Sequence, residues 1–535
     1  MTYQTVLKNL FNSDGQAKAQ TQPLPGQIAN SAGGYFYPID DWARLERFLI
    51  LGSEGGTYYA SELHLTAENV AVVERVLAAD GKRAVATIVE IGTSRRAPKH
   101  QPVLFALALA ASAEDPVTRR AALEALPQVA RTGTHLLTFT EYANTLRGWG
   151  RGLRRGVAGW FTGQATERLA FQAIKYRQRE GRALRDVVRL AHPLTDDLDR
   201  KALFDWIAHP DDPEAVKVAR GLYRLVDARQ AIQETDDAAE AARLIETQSL
   251  PREAVPTAFL SDARVWDALL VDMPVTAMIR NLGKMTQVGL LSQGSDAAKY
   301  VADRLGDRDQ LAAARVHPPI QLLLALKTYA QGRGVRGRLE WEPVAAIVDA
   351  LDSAIYDAFE QVPATGKRIL VGVDVSGSMS WDRCTGASVL EPVEAAAAIT
   401  LQLLQTEENV RVIAFDTAVH QPGLSRRQRF DDVARKLASY GGGTDISLPL
   451  NYAIEQRQEV DAFVVLTDNE TWAGREHPAQ ALARYRETIN PNAKIAVLAF
   501  TANHGSIVPE DDPRAFGVVG FDAAVPELLR EFLAD

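Results

Sequence analysis

The chain has 535 residues, which is enough for roughly two or three domains with complete hydrophobic cores. Its net charge of −9, taken alone, argues against nucleic acid as a partner, but the net charge of a whole chain can hide a local basic patch. The single cysteine, Cys384, excludes a disulfide framework and a zinc cluster. Because no run of about 18 apolar residues and no signal-peptide pattern occurs, we expect a cytoplasmic protein without membrane contact.

The first two thirds of the chain have a helical pattern. Residues 1–21 show little periodicity, and we expect a flexible N-terminal tail. From residue 22 to residue 362, apolar residues recur at helical spacing between short loops rich in Pro, Gly or Asp. Such a succession without a strict repeat predicts a HEAT-like or armadillo-like α-solenoid, and a compact helical bundle is the alternative. The clearest helical segments are 67–79, 103–111, 117–131, 139–147, 165–180, 214–229, 265–282 and 320–330.

Basic residues are concentrated between positions 147 and 189. This stretch holds eleven Arg or Lys residues against three acidic residues. Lys175 and Arg179 are four residues apart, which predicts one shared face if both lie on one helix. A cationic face on an acidic protein indicates a phosphate-bearing partner such as nucleic acid. The alternative is an ordinary solvated helix face.

Aromatic and glycine residues interleave with the first of these cations. Arg151, Arg154 and Arg155 precede Trp160 and Phe161. Arginine and aromatic side chains offer stacking surfaces to unpaired bases, but the two aromatic residues are equally compatible with a hydrophobic core.

His192 follows the last helical pattern of this region and precedes a proline. It is therefore either a helix C-terminal cap or an RNA ligand.

After residue 362, predicted strands alternate with predicted helices. Such alternation indicates a parallel sheet with helices on both faces, so we place a second, α/β domain at 363–535. The strands are expected near 368–374, 410–415, 461–467, 494–500 and 516–521. The helices are expected near 391–405, 430–439, 446–457, 477–488 and 523–533.

Oxygen-bearing side chains follow the predicted strands of this domain. Asp374, Ser376 and Ser378 lie at alternate positions after one buried strand, Thr444 lies in a glycine-rich loop, and Asp468 ends another buried strand. Carboxylate and hydroxyl oxygens suit a hard divalent cation, of which Mg²⁺ is the expected one. This DxSxS–Thr–Asp order resembles the metal-ion-dependent adhesion site (MIDAS) of von Willebrand factor A (vWA) domains.

Two other interpretations apply to the same residues. The hydroxyls and the second acid can serve only as turn and helix caps. An aspartyl-phosphate phosphatase would need a second acid where Ser376 stands, so that class is disfavoured.

Together the two halves resemble the Ro ribonucleoprotein autoantigen family, which joins a TROVE domain to a vWA domain. The resemblance implies a ring of HEAT-like helical repeats, closed by a Rossmann-like α/β vWA domain. It also implies that the outer surface binds Y-like small noncoding RNA, and that the central hole admits single-stranded 3′ ends of structured, misfolded or precursor RNA. The segments that carry the resemblance are 27–31, 52–59, 175–179, 189–192, 273–285, 314–318, 442–445 and 467–471.

By position, Lys175, Arg179 and His192 correspond to Y RNA contacts of that family. The candidate RNA-binding set is completed by the basic residues from the charge pattern, which are Arg151, Arg154, Arg155 and Arg185. The resemblance further implies a monomeric, non-enzymatic scaffold in RNA quality control, maturation and decay, associated with a 3′→5′ exoribonuclease. The alternatives are a metal-dependent protein adhesion module acting through the MIDAS residues, and a metal-dependent nuclease, which lacks the expected cluster of acids.

Overall fold

The computed structural model describes most of the chain and divides it into a helical domain and an α/β domain, as the sequence predicts. Residues 1–16 of the expected tail, and the resemblance segments 52–59 and 314–318, lie outside the described residues. The described residues are 17–30, 32–38, 40–51, 62–94, 100–179, 182–313, 320–334, 338–359, 362–381, 383–384, 389–468, 471–501, 505–507, 512, 514–520 and 525–534.

Helices of the first domain pack mainly against near neighbours in the chain, which is the arrangement of an α-solenoid rather than of a compact bundle. Two short 3₁₀ turns, Arg252–Ala254 and Thr257–Ser261, interrupt the series. The helices are α1 (Asp41–Leu51), α2 (Glu62–Ser94, bent at Asp80), α3 (Gln101–Ser112), α4 (Pro116–Val129), α5 (Gly133–Leu146), α6 (Arg151–Thr162), α7 (Thr166–Lys175), α8 (Leu184–Ala191), α9 (Leu198–Ala208), α10 (Pro213–Leu222), α11 (Arg224–Glu234), α12 (Ala238–Gln248), α13 (Ala263–Val271), α14 (Val275–Gln287), α15 (Asp296–Gly306), α16 (Arg308–Ala313), α17 (Ile320–Ala330) and α18 (Ala345–Phe359).

Aspartates in the loops begin several of these helices. The side chains of Asp115, Asp197, Asp212, Asp237 and Asp262 each accept a hydrogen bond from a backbone N–H of the following first turn. Because those N–H groups have no partner within the helix, each cap stabilises its helix by about 1 kcal/mol. The Asp-containing loops of the sequence are therefore helix starts.

Two segments that the sequence predicts as single helices are each two helices. The segment 214–229 divides between α10 and α11 at Tyr223, whose backbone is extended. The segment 265–282 divides between α13 and α14 before Pro274, because proline disfavours helical backbone in the residue that precedes it.

The prediction that Lys175 and Arg179 share one helix is wrong. Helix α7 ends at Lys175, and Arg179 lies in strand β3 (Gln178–Arg179), which pairs antiparallel with β4 (Arg182–Ala183). The backbone leaves the helical conformation at Tyr176 (φ −120°, ψ 33°), and the pairing of β3 with β4 takes the place of a further helical turn.

The α/β domain is built on a six-stranded sheet in the order β11-β9-β8-β5-β6-β7. All pairings are parallel except that of the edge strand β7 with β6. The five parallel strands fall within two residues of their predicted bounds. The strands are β5 (Ile369–Asp374), β6 (Val410–Phe415), β7 (Val419–His420), β8 (Ala462–Thr467), β9 (Lys494–Ala499) and β11 (Ala515–Val519).

Helices cover both faces of this sheet. In β5, Ile369 and Val371 belong to the core cluster that includes residues of the helix at 392–406, whereas Leu370 belongs to the cluster on the other face. At Gly372 a Cβ atom would come within 2.5 Å of Pro449, so glycine lets a helix approach the strand closely. The helices are α19 (Ser378–Trp381), α20 (Pro392–Thr406), α21 (Phe430–Leu437), α22 (Leu448–Glu455), α23 (Pro478–Thr488) and α24 (Val525–Ala534).

Residues that precede the helical domain pack on the α/β domain, which differs from the expectation of a flexible tail at residues 17–21. Gln20 is fully buried, donates to Asp445 Oδ1 (2.7 Å) and to the backbone oxygen of Glu476 (2.9 Å), and accepts from the Thr471 hydroxyl. The strand β2 (Tyr35–Pro38) pairs with β1 (Ile28–Ala29) and with β10 (Gly505–Ser506). The start of the described chain is therefore held by its second domain.

Replacing Gln20 by alanine is expected to destabilise the α/β domain. The change removes the buried hydrogen bonds that Gln20 makes with Asp445 and Thr471, each of which contributes about 0.5–3 kcal/mol, while both side chains keep their other partners. Urea unfolding of the whole protein measures this difference. The neighbouring Thr21→Ala is the control because Thr21 is exposed. Equal midpoints for the two variants would contradict the role of Gln20.

The last helices of the first domain contact the α/β domain at a second place. Lys327 forms an ion pair with Glu394, and Arg429 forms one with Asp352. The phenol oxygen of Tyr356 accepts a hydrogen bond from the backbone N–H of Phe430 (2.9 Å). Both ends of the helical domain therefore contact the α/β domain.

Candidate metal site and basic surface

The predicted metal ligands begin at the carboxyl end of β5. Asp374 is fully buried, and its two carboxylate oxygens accept from the Ser376 N–H (2.9 Å) and from the Thr467 hydroxyl (2.6 Å). The hydroxyl oxygens of Ser376 and Ser378 are 3.3 Å apart. The side chains of the DxSxS motif thus converge within one loop.

Two further loops meet this one. The Gly377 N–H donates to the Gly442 carbonyl oxygen (3.2 Å), and the Thr444 carbonyl oxygen accepts from the Trp472 N–H (3.1 Å). Asp468 is buried at the end of β8. The structure therefore brings the loops of all five predicted ligands to one edge of the sheet, as the strand ends of a parallel sheet require.

The electrostatics of this edge favour a cation. Burial, and then the neighbouring charge of Asp468, raise the pKa of Asp374 to about 7. The hydrogen bonds from Thr467 and Ser376 act in the opposite direction. Two buried carboxylates beside hydroxyl oxygens form a donor set that suits a hard divalent cation, which would offset their mutual repulsion.

The described residues hold no group of three or more His, Cys, Asp or Glu side chains arranged for a metal. The site at the end of β5 is therefore rich in hydroxyls rather than in acids.

The acid next to Thr444 has a different use. Asp445 accepts from the Ser447 hydroxyl (2.6 Å) and from Gln20, and burial raises its pKa. Its carboxylate is engaged in holding the N-terminal segment. The sequence places Asp445 beside the site, but only the fold shows this role.

Three predicted RNA-binding arginines lie together at the start of α6. Arg151, Arg154 and Arg155 are exposed. Among the residues that the structure describes, none of the three has a carboxylate within ion-pair distance, 4.0 Å. Helix α6 packs against α8, which carries the exposed Arg185, and Arg185 Nε lies 3.3 Å from Asp186 Oδ1. The four arginines therefore lie on two helices that pack against each other.

The other three predicted RNA-binding residues lie at the ends of α7 and α8 and in β3. Lys175 is half-buried, with its Nζ 5.4 Å from the ring centroid of Phe171. The side chain of Arg179 lies outside the described part. His192 is exposed and occupies the C-cap of α8 in the left-handed conformation (φ 48°), so its backbone serves as the cap and its side chain remains accessible.

Some residues of the basic stretch are structural. Trp160 and Phe161 are buried in edge-to-face contact, with centroids 5.1 Å apart, so they belong to the core rather than to a stacking surface. Arg147 donates to the backbone oxygen of Ser112 (3.1 Å), the last residue of α3. We define the basic surface as the exposed or half-buried cations Arg151, Arg154, Arg155, Lys175 and Arg185, together with His192 and with Arg179 of β3, which the resemblance adds.

No helix in the described part of the chain is long and apolar enough to cross a membrane.

A helical-repeat domain followed by a vWA-type domain with a MIDAS-like donor set defines the class of this protein. Comparison with family models agrees: the TROVE domain matches residues 28–248 and 235–328, and the Ro60 vWA domain matches residues 368–533. The chain belongs to the Ro60 family, which confirms the resemblance seen in the sequence.

Individual relatives match over almost the whole chain. The RNA-binding protein RO60 of Deinococcus radiodurans is 39% identical over 531 residues, covering 98% of this chain and 99% of the relative. The RNA-binding protein RO60 of Caenorhabditis elegans is 34% identical over 601 aligned residues, covering 97% and 92%. The crystal structure of the Deinococcus radiodurans RO (RSR) protein superposes with a TM-score of 0.73 at 37% identity, covering 92% of this chain and 99% of that one.

Proposed function

We propose that this protein is an RNA-binding scaffold whose basic surface holds RNA through its phosphates. The observation that carries the proposal is the group Arg151, Arg154 and Arg155, which is exposed and lacks a carboxylate partner among the described residues. Two relatives that match nearly the full chain are named RNA-binding proteins. The test is salt-dependent binding of a structured RNA, and affinity that does not change with salt would contradict phosphate contacts.

The position of these arginines adds to the attraction for phosphate. They lie within the first five residues of α6, close to the helix N-terminus, whose free backbone N–H groups and helix dipole also carry positive potential. Phosphate contacts provide affinity with little sequence specificity. The shape of the RNA and its free single-stranded ends therefore decide which RNA binds.

We further propose that a Y-like small RNA binds to the outer surface of the helical domain. Single-stranded 3′ ends of misfolded or precursor RNA would enter a central hole. Contacts of the α/β domain with both ends of the helical domain support a closed ring made from one chain. A narrow hole selects unpaired ends because a duplex is too wide to thread it. This selection suits RNA quality control, maturation and decay together with a 3′→5′ exoribonuclease.

The site at the end of β5 is proposed to hold Mg²⁺. Ser376, Ser378 and Thr444 would supply hydroxyl oxygens, and Asp374 and Asp468 would act directly or through water. The cation would then accept a carboxylate from a protein partner, which is the second candidate function. The exposure of Trp381 favours binding of a protein partner. This side chain lies in the helix that starts at Ser378, is 81% exposed, and offers an apolar contact beside the site.

The scaffold is proposed to have no catalytic activity, and to be a cytoplasmic monomer. A nuclease using two metal ions needs several acids around them, and the described residues lack such a group. Incubation of purified protein with RNA and Mg²⁺ is expected to leave the RNA at full length. Cleavage that is lost in Asp374→Asn would assign a nuclease instead.

A further inference from the structure

The residues that precede the helical domain cross the α/β domain beside the candidate metal site. We call residues 17–34 the N-terminal strap. Through Gln20, the strap contacts both the glycine-rich loop 441–445 and the segment 471–477. The backbone N–H of Gln20 donates to the Gly474 carbonyl oxygen (2.9 Å), and a Cβ atom on Gly474 would collide with the Gln20 side chain. The strap is therefore packed closely against the loops of the site.

The hydroxyl of Thr471 joins the strap to the loop that carries Thr444. Thr471 is buried, and its hydroxyl oxygen accepts from the Ile446 N–H (3.2 Å) and lies 3.3 Å from the Thr444 carbonyl oxygen. A hydroxyl has one proton, and the shorter contact assigns it to the side-chain oxygen of Gln20. The side-chain nitrogen of Gln20 donates at the same time to Asp445, the residue after Thr444. Gln20 thus holds both the neighbour of Thr444 and the hydroxyl that contacts its backbone.

Asn30 holds Thr471 through the backbone. Its side-chain nitrogen donates to the Thr471 carbonyl oxygen (2.9 Å), and its side-chain oxygen accepts from the Gly34 N–H (2.7 Å). A Cβ atom on Gly34 would collide with that carbonyl oxygen, so glycine lets the strap approach closely. Trp472 continues the contact to the glycine-rich loop, since a Cβ atom on Gly443 would come within 2.7 Å of its ring. Thr471 and Trp472 therefore contact both the strap and this loop.

From these contacts we infer that Gln20 and Asn30 are positioning residues of the metal site, because they fix the loop that presents Thr444 to the cation. A loop that is held in place before the cation arrives loses less conformational freedom on binding. Coupling between two sites is reciprocal, so a bound cation also strengthens docking of the strap on the α/β domain. The strap leads through β2 into α1, and the cation thereby helps to hold the start of the helical domain. The inference rests on the proposed metal site.

The first experiment measures Mg²⁺ affinity by isothermal titration of the full-length protein with magnesium chloride, at a temperature where circular dichroism shows each variant to be folded. Gln20→Ala and Asn30→Ala are each expected to weaken Mg²⁺ binding about tenfold, within the range of roughly 5–150-fold that is typical of coupling between sites.

Tyr485→Phe is the control for a loss of stability alone. It removes a buried hydroxyl that accepts from the Val460 N–H (2.8 Å), which lies before β8, at the opposite end of that strand from Asp468. The change destabilises the same domain but does not touch the strap or the glycine-rich loop. Mg²⁺ affinity is therefore expected to stay at the wild-type value.

The second experiment tests the reverse effect by hydrogen exchange and mass spectrometry. Relative to EDTA, Mg²⁺ is expected to slow exchange of the strap amides about tenfold in wild type and to leave it unchanged in Asp374→Asn. The N–H of Phe430, which donates to Tyr356 at the second contact between the domains, should be slowed by less than about twofold. This measurement needs no strap variant, so it decides the matter even if Gln20→Ala does not fold.

The possible outcomes separate the inference from the proposal on which it rests. Wild-type Mg²⁺ affinity in folded Gln20→Ala and Asn30→Ala would overturn the positioning role and leave the metal site standing. An equal loss of affinity in Tyr485→Phe would also overturn it, because domain stability would then govern binding. Equal slowing of exchange in the strap and at Phe430 would have the same meaning. If wild-type protein bound no Mg²⁺, the proposed metal site itself would fail.

Discussion

Alanine at both Lys175 and Arg179 is expected to weaken binding of a structured RNA and to make it less sensitive to salt. Each lost phosphate contact should reduce the slope of log affinity against log salt by about 0.7–0.9, so the double variant should lose roughly one to two units. At a fixed salt concentration, each charge-assisted contact contributes roughly tenfold in affinity. Filter binding or fluorescence anisotropy at four or five salt concentrations measures both quantities.

A matched control separates a specific surface from net charge. Arg243 and Arg264 are exposed, pair with Glu240 and Asp262, and lie on α12 and α13. Replacing both by alanine removes the same two charges from another part of the helical domain. If this control lost as much affinity as the Lys175 and Arg179 variant, net charge rather than the basic surface would govern binding.

Mg²⁺ is expected to stabilise the wild-type protein against unfolding and to leave Asp374→Asn unaffected. A ligand at one hundred times its dissociation constant raises the free energy of unfolding by about 2.7 kcal/mol. Without metal, the variant should be at least as stable as wild type. Burial and the neighbouring Asp468 disfavour the charge of Asp374, and asparagine removes that charge. Thermal unfolding with Mg²⁺ or EDTA, at constant ionic strength, measures the effect.

RNA affinity should change by less than about twofold in Asp374→Asn, because the metal site and the basic surface lie on different domains. Glu459→Gln is the control, since it also removes one negative charge but replaces an exposed residue that precedes β8. An equal Mg²⁺ response in wild type and Asp374→Asn would contradict the assigned site. Loss of RNA binding in a folded Asp374→Asn would contradict the separation of the two functions.

The sequence predicts the parallel sheet, and the meeting of its polar strand ends at one edge, for a physical reason. Strands β5 and β8 are buried on both faces, so each is an unbroken apolar run that ends in a polar residue. In a parallel sheet such ends meet at one edge, so Asp374 and Asp468 were brought together by topology alone. Helical spacing predicts less, because it does not fix where a helix ends. Lys175 and Arg179 have the four-residue spacing of one helical face, yet the helix ends at Lys175.

Contacts between distant parts of the chain leave no local pattern. Gln20 and Thr471 are 451 residues apart, and nothing in the polar sequence around Gln20 indicates that it is buried.

The most direct test of the central claim is recovery of cellular RNA crosslinked to wild-type protein and to the Lys175→Ala, Arg179→Ala double variant. An RNA scaffold with a basic surface predicts that wild type enriches one abundant small structured RNA and that the variant loses it. Recovery of the same RNA by both proteins, or no enrichment by wild type, would contradict the assignment of that surface.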